Sequence, residues 1–215
     1  MGIESFSVDA GYVVKCSDGS VERYLGGAVV RCDGAKYYVT PFNPPHKVKL
    51  HKYIASMVLS STALYVGYPT NPGIVDVFNS NTLQSIRTFK APARHIAVNA
   101  LALSSTALYV GYSTSPGIID MIDPNTLRVI HTFKAPRGRN VITMLDTSST
   151  ALYVRYRTGP AVIDVLDPNT LKLLRTFNAP SGYNMVSAFA LSSTALYVAY
   201  GTTPGVIDMI DPNTF

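Results

Sequence analysis

Arginine, histidine and tyrosine cluster in a few short segments of this 215-residue sequence, and together they suit recognition of an oxyanion. Arg94-His95, Arg137-Gly138-Arg139, Arg155-Tyr156-Arg157 and Tyr183 all fall in or beside runs of turn formers. A guanidinium offers paired N–H donors in a planar fork, which matches a carboxylate, a phosphate or a sulfate. Brought together, these arginines with His95 and Tyr183 would hold an anionic group; kept apart, they are solvated rim charge. Arg155 sits inside a strand-like run and can point elsewhere. A second set is Tyr68, Tyr112, Tyr156 and Tyr200, each two residues ahead of Thr70, Thr114, Thr158 or Thr202. These pairs would form repeated pockets for a glycan. A third set is Asp76, Asp120, Asp164 and Asp208, each between apolar neighbours. A carboxylate half-buried among such neighbours must find donors. Candidate donors are Tyr65, Tyr109, Tyr153 and Tyr197 or backbone amides. A catalytic centre is needed once, so an aspartate recurring in every copy reads as structural.

The elements that position these residues follow from a repeat. Ser-Ser-Thr-Ala-Leu-Tyr-Val occurs four times, with Thr62, Thr106, Thr150 and Thr194 spaced by 44 residues. A fixed period in this range marks a repeat architecture. The second copy divides into strand a (Ile96 to Leu103), strand b (Ala107 to Tyr112), strand c (Gly117 to Ile122) and strand d (Leu127 to Lys134). Ser104-Ser105-Thr106, Ser113-Thr114-Ser115-Pro116 and Asp123-Pro124-Asn125-Thr126 join them, all rich in turn formers, so the connections are hairpins. No segment carries a 3.6-residue period with helix caps, and the chain reads as all-β. Four short antiparallel strands per copy are the content of a propeller blade. Apolar residues on both faces of each strand fit a sheet sandwiched between neighbours.

Residues 1–53 lie outside the clear repeat and form a divergent N-terminal part; residues 54–215 carry the four copies. Asp18-Gly19 and Asp33-Gly34 each separate β-rich runs, predicting hairpins of Tyr12–Cys16 with Val21–Leu25 and of Ala28–Cys32 with Lys36–Thr40. Two hairpins make a four-stranded sheet, the content of one blade or of a ring-closing segment. The expected architecture is thus a β-propeller of about five four-stranded blades, closed by an N-terminal strand. The fourth copy runs to Asp211-Pro212-Asn213-Thr214-Phe215, where its strand d would begin. The alternative to closure is self-association through that open edge, because an unpaired strand is a template for addition. The run His46 to Lys52 alternates with period two and reads as an edge strand with solvated charges or as a phosphate-binding patch.

The core Ala107-Leu-Tyr-Val-Gly-Tyr112 followed by Ile119-Asp-Met-Ile-Asp-Pro-Asn-Thr126 resembles the YVTN-type propeller repeat, common in archaeal and bacterial surface proteins. The resemblance covers roughly residues 54–215. It implies the propeller fold, and it says little of function, since propellers host many activities. The chain departs from that pattern with Gly-Tyr, Arg-Tyr or Ala-Tyr where the family often has Ala-Asn.

The connectors repeat on one side and vary on the other. Ser-Ser-Thr is shared by all four and Asp-Pro-Asn-Thr by three, with Asn79-Ser-Asn-Thr82 in the first. The b–c and d–a connectors, on the opposite side, vary. A uniform bottom with a diversified top suits a scaffold presenting a binding face, or simply drift in exposed loops.

Composition narrows the classes. Charge is sparse, with 18 basic and 13 acidic residues, and the net +5 favours an anionic partner without the concentrated basic element of a nucleic-acid binder. No apolar run reaches the ~18 residues of a membrane-spanning helix. The start, Met-Gly-Ile-Glu-Ser-Phe, shows no signal peptide. Abundant Tyr, Ser and Thr with few charges points to an extracellular, cell-surface or virion setting. Cys16 and Cys32 are either reduced thiols or a disulfide, and two cysteines without clustered histidines make no metal site.

Of the 13 acids, seven are repeat positions (Asp123, Asp167 and Asp211 open turns) and Asp18 and Asp33 sit in turns. Glu4, Asp9, Glu22 and Asp146 remain, too few for a glycosidase pair lining a channel. Nucleophile-elbow and phosphate-cradling glycine motifs are missing. The expected function is therefore a non-enzymatic propeller that binds a surface glycan, an anionic ligand or a protein, with no cofactor. A structural subunit of a virion or surface layer is the alternative, and a lactonase-like hydrolase the second alternative.

Overall fold

The computed structural model describes residues 53–212 throughout and, besides them, residues 7, 8, 12, 13, 24, 25, 28–33, 36–41, 47, 48, 50 and 214. The chain forms two compact units, Met1–Val48 and Lys49–Phe215. In the first, β1 (Ser7–Val8) pairs with β2 (Tyr12–Val13), while β3 (Tyr24–Leu25), β4 (Ala28–Asp33) and β5 (Lys36–Pro41) form a three-stranded sheet in that order. The β4–β5 hairpin closes with Asp33 opposite Lys36, as its Asp-Gly turn predicts. The other expected hairpin, Tyr12–Cys16 with Val21–Leu25, lies mostly outside the described residues. Tyr12 pairs back with Val8, and Tyr24 pairs forward with Val29. Gly26-Gly27, between Leu25 and Ala28, is itself a two-residue hairpin sequence. Cys16 lies outside the described residues, and Cys32 is placed on β4 by its backbone alone. Lys47, Val48 and Leu50 are irregular rather than an edge strand; the rest of the basic run lies outside the described residues.

The second unit is built from the repeats. The first blade holds β6 (Ser56–Leu59), β7 (Ala63–Tyr68), β8 (Ile74–Asn79) and β9 (Ser85–Lys90). The second holds β10 (Val98–Leu103), β11 (Leu108–Tyr112), β12 (Ile118–Ile122) and β13 (Val129–Lys134). The third holds β14 (Ile142–Thr147), β15 (Leu152–Tyr156), β16 (Val162–Leu166) and β17 (Leu173–Asn178). In the fourth, β18 (Val186–Leu191), β19 (Leu196–Tyr200) and β20 (Val206–Ile210) make a three-stranded sheet. Every sheet pairs in chain order and antiparallel, giving the blades of an all-β propeller.

Turn chemistry fixes the uniform side. Ser60, Ser104, Ser148 and Ser192 Oγ each accept the N–H of the alanine three residues on, at 2.9–3.1 Å. Asp123 Oδ1 accepts from Asn125 N and Thr126 N (2.7 and 3.1 Å), and these bonds hold its carboxyl below the usual range. Asn79 Oδ1 makes the same pair of bonds, so the amide substitutes without change of turn. Such local side-chain bonds satisfy backbone donors that the turn leaves orphaned.

Between blades the core is apolar. Tyr65, Val75 and Val77 pack on Val98, Leu101 and Val110; Tyr109 and Ile119 pack on Ile142, Leu145 and Val154; Ile163 and Val165 pack on Val186 and Val198. Glycine lets the first two interfaces close. A Cβ on Gly67 would come 2.5 Å from a Val98 methyl, and one on Gly111 would come 2.7 Å from an Ile142 methyl. The third copy places Arg155 at this position and the fourth Ala199. The d strands, on the outer rim, are mostly exposed.

Candidate functional site

Each blade centres on its strand-c aspartate. The register sets Val110 opposite Asp120, so Tyr112, two residues along on the same face, reaches the carboxylate. Tyr109 lies opposite Met121 and points to the other face, where its hydroxyl donates to Pro168 O at 2.7 Å. The donors are therefore Tyr112 and its equivalents rather than Tyr109, Tyr65, Tyr153 and Tyr197: side chains alternate between faces, and an offset of one residue crosses the sheet.

In the second blade Tyr112 Oη donates to Asp120 Oδ2 at 2.9 Å, His95 Nδ1 to the same oxygen at 2.8 Å, and Thr132 Oγ1 to Oδ1 at 2.7 Å. Asp120 is fully buried, and the His95 and Tyr112 rings lie 5.0 Å apart. In the third blade Arg139, 44 residues after His95, takes the histidine's place. Its Nη2 lies 3.1 Å from both Asp164 Oδ1 and Thr176 Oγ1, and Thr176 donates to the same Oδ1 at 2.7 Å. Tyr156 faces Asp164, yet Tyr156 Oη and Asp164 Oδ2 are both buried without completing a hydrogen bond. Burial pushes the Asp164 carboxyl up, opposed by Thr176, by Arg139 and by the facing Tyr156 hydroxyl. In the fourth blade Tyr183 stacks 4.5 Å from Tyr200, whose hydroxyl donates to Asp208 Oδ2 at 2.9 Å. In the first, Thr88 Oγ1 donates to Asp76 Oδ1 at 2.6 Å, and burial, then the Asp76 charge, push the Tyr68 phenol up to about 12. The four tyrosines are buried, and burial pushes the other three phenols up as well.

The five arginines do not gather at one place. Arg139 is turned to Asp164. Arg94 and Arg137 are exposed on separate d–a loops, with Arg137 bordering a cleft shared with Lys134 and Asn140. Arg155 and Arg157 meet on a groove of about 580 Å³ that Asn99, Thr143, Thr158 and Asn184 also line. Thr70 and Thr202 hydroxyls donate to Pro72 O and Pro204 O at 2.8 Å, while Thr114 and Thr158 Oγ1 are buried without partners. Sequence reasoning missed Asn99, Thr143 and Asn184. A signal for the first existed: Asn99 is the one polar residue in the otherwise apolar run 96–103. Among the described residues no three His, Cys, Asp or Glu side chains gather as metal ligands.

No protein-family model matches the sequence, and no curated protein is similar to it. Similar solved structures exist. The computationally designed Ika4 protein superimposes with a TM-score of 0.60 at 17% identity, over 76% of this chain and 93% of Ika4. The RRP9 WD40 repeats give 0.59 at 16% identity, over 77% of this chain and 53% of theirs. A chain of the Mitotic Checkpoint Complex gives 0.62 at 19% identity, over 87% of this chain and 58% of that one. The chain thus spans little more than half the length of the latter two. At these identities the likeness concerns the fold, and the fold is that of a β-propeller.

Proposed function

We propose that this chain is a non-enzymatic propeller with YVTN-type repeats that binds a protein or surface glycan through its variable b–c and d–a loops. The observation that carries the reading is the commitment of the carboxylates. Asp76, Asp120, Asp164 and Asp208 are bonded to threonine, tyrosine, histidine or arginine within their blades, and Asp123 and Asp167 cap turns. Asp146 Oδ1 accepts from Thr147 N at 2.8 Å. A hydrolase needs acids free to exchange protons with substrate, whereas the exposed loops carry Arg94, Arg137 and Arg157. That a chain of similar fold belongs to the Mitotic Checkpoint Complex favours a protein partner. The test is a glycan-array and peptide-display screen of the full chain. Binding should be lost when Arg94, Arg137 and Arg157 become alanine together and kept when Ser61, Ser105 and Ser149, on the other side, do. The reverse pattern, or turnover of a substrate, would sink the reading.

A second reading, a subunit of an assembly, is favoured by the fourth blade. Ile207 and Met209 are 70% and 72% exposed, where Ile119 and Met121, at the same positions of the second blade, are 0% and 5% exposed. A Cβ on Gly73 or Gly117 would touch the next blade, while Gly205 faces open space. An apolar face of this kind marks an interaction site, and a second copy of the chain is the occupant this reading commits to. Light scattering over a concentration series decides: Met209→Lys should lower the mass, and a wild-type monomer throughout would exclude it.

A further inference from the structure

We propose that the groove lined by Asn99, Thr143, Arg155, Arg157, Thr158 and Asn184 binds a small phosphate or sulfate monoester, its oxyanion held between the two guanidiniums. The inference deepens the top-face reading by naming the chemistry of one site, and it rests on that reading only for the ligand's source.

The third copy breaks the rule of the first two where the rule is sterically strict. Positions 67 and 111 are glycine because a valine or isoleucine of the next blade leaves no room for a Cβ. At 155 the chain places the largest cation instead, and Val186 of the next blade remains buried. Position 157 is arginine as well, where the other copies have Pro69, Ser113 and Gly201. Arg155 Nε is buried with no hydrogen-bond partner, and burial followed by the Arg157 charge holds the guanidinium below the usual range. Among the described residues neither arginine forms an ion pair, and no carboxylate lines the groove. Two like charges beside one cavity, one of them partly desolvated, lack a counter-charge that an oxyanion would supply.

The neutral lining is arranged for the same end. Asn99 and Thr143 fall at the register shifts of β10 and β14, between Val98 and Ala100 and between Ile142 and Met144. An extra residue in a strand re-aims its side chain and is over-represented next to functional sites. Asn99 Nδ2 donates to Ile142 O at 2.7 Å, which fixes the amide within the lining. Thr158 Oγ1 is buried and unpartnered. The volume, about 580 Å³, falls in the ~300–1,000 Å³ range of small-molecule sites and exceeds what a bare ion fills. The anion is therefore an end group.

Isothermal titration of the full chain with inorganic phosphate, inorganic sulfate and a sulfated monosaccharide, at constant ionic strength in chloride, tests the site. Saturable binding at one equivalent is expected, tightest for the monoester. Arg157→Gln should weaken it at least tenfold, the loss expected for a charge-assisted contact, and Arg128→Gln, exposed and away from the groove, should leave it unchanged. Arg155→Met guards against misfolding: it should melt higher than wild type in chloride buffer without phosphate or sulfate and lose the rise in melting temperature that phosphate gives wild type. Binding that survives both groove substitutions, or no saturable binding of any probe, overturns the proposal. If partner binding by the loops persists in either case, the top-face reading stands without this site; if phosphate binds at the groove and no partner does, the reverse holds.

Discussion

The second and third blades share strand order, register and turns, and they differ in what they bury. Asp120 is neutralised by three donors of moderate polarity, His95, Tyr112 and Thr132, and the contact behind Gly111 is closed by Ile142. Asp164 faces Arg139 and Thr176, turns Oδ2 to Tyr156 without a hydrogen bond of full geometry, and stands in a blade that also carries Arg155 and Arg157. Three substitutions along the repeat, His95 to Arg139, Gly111 to Arg155 and Ser113 to Arg157, thus add guanidiniums to the third blade, two within it and one on its exposed loop. The backbone is indifferent to the change because hairpin register and Ser or Asp turn bonds, shared by both blades, set it. Repetition fixes where side chains stand, and departure from repetition marks where the molecule gives up stability for another purpose.

The difference breaks most severely if the second blade is given the third blade's arginine. Gly111→Arg would drive its Cβ into the Ile142 methyl, which strand pairing with β15 keeps from retreating. Overpacking of this kind costs about 3 kcal/mol or more when backbone must shift. Urea unfolding should show a lowered midpoint and a broadened transition, and an unchanged midpoint would mean that the interface is looser than its contacts indicate.

A smaller and more diagnostic effect comes from the aspartates. Asp120→Asn exchanges an acceptor for a donor among three donors and should cost about 2–3 kcal/mol. Asp164→Asn should cost less, because burial already disfavours its charge. The sign follows from the raised carboxyl. A carboxyl whose folded value lies above its unfolded value contributes stability fully below about pH 4, and this contribution fades as pH rises through the folded value. Wild-type unfolding midpoints measured upward from pH 4 carry that loss, and Asp164→Asn should remove it. A slope that persists in Asp164→Asn would assign the loss to another group.

Much of this comparison was legible in the sequence. The 44-residue period placed all four strands of the second copy to within two residues of β10 to β13, since turn formers bounded each run. The strand-c aspartates read as structural from recurrence alone. Their donors were misassigned to Tyr109 and its equivalents because proximity along the chain cannot distinguish the two faces of a sheet. The antiparallel neighbours β3, β4 and β5 follow the chain order that the N-terminal β-rich runs suggest. Arg155 was visible as a departure from glycine, but its burial depends on Val186 of the following blade. Asn99 and Thr143 needed the register shift, which tertiary packing produces.

The finest test removes one oxygen from each blade. Tyr112 Oη donates to Asp120 Oδ2 in a buried setting, so Tyr112→Phe loses one hydrogen bond and leaves the carboxylate with two donors; about 1 kcal/mol is the expected cost. Tyr156 Oη is buried without a completed bond, so Tyr156→Phe removes a desolvated polar group and should be neutral or slightly stabilising. Both rings are buried and the substitutions keep their volume, so packing contributes little to the difference. Equal losses in paired urea titrations would mean that Tyr156 bonds to Asp164 in solution as Tyr112 bonds to Asp120, and the two polar centres would then differ by Arg139 alone. A loss confined to Tyr112→Phe would establish that the arginine has displaced the tyrosine as the partner of the buried aspartate.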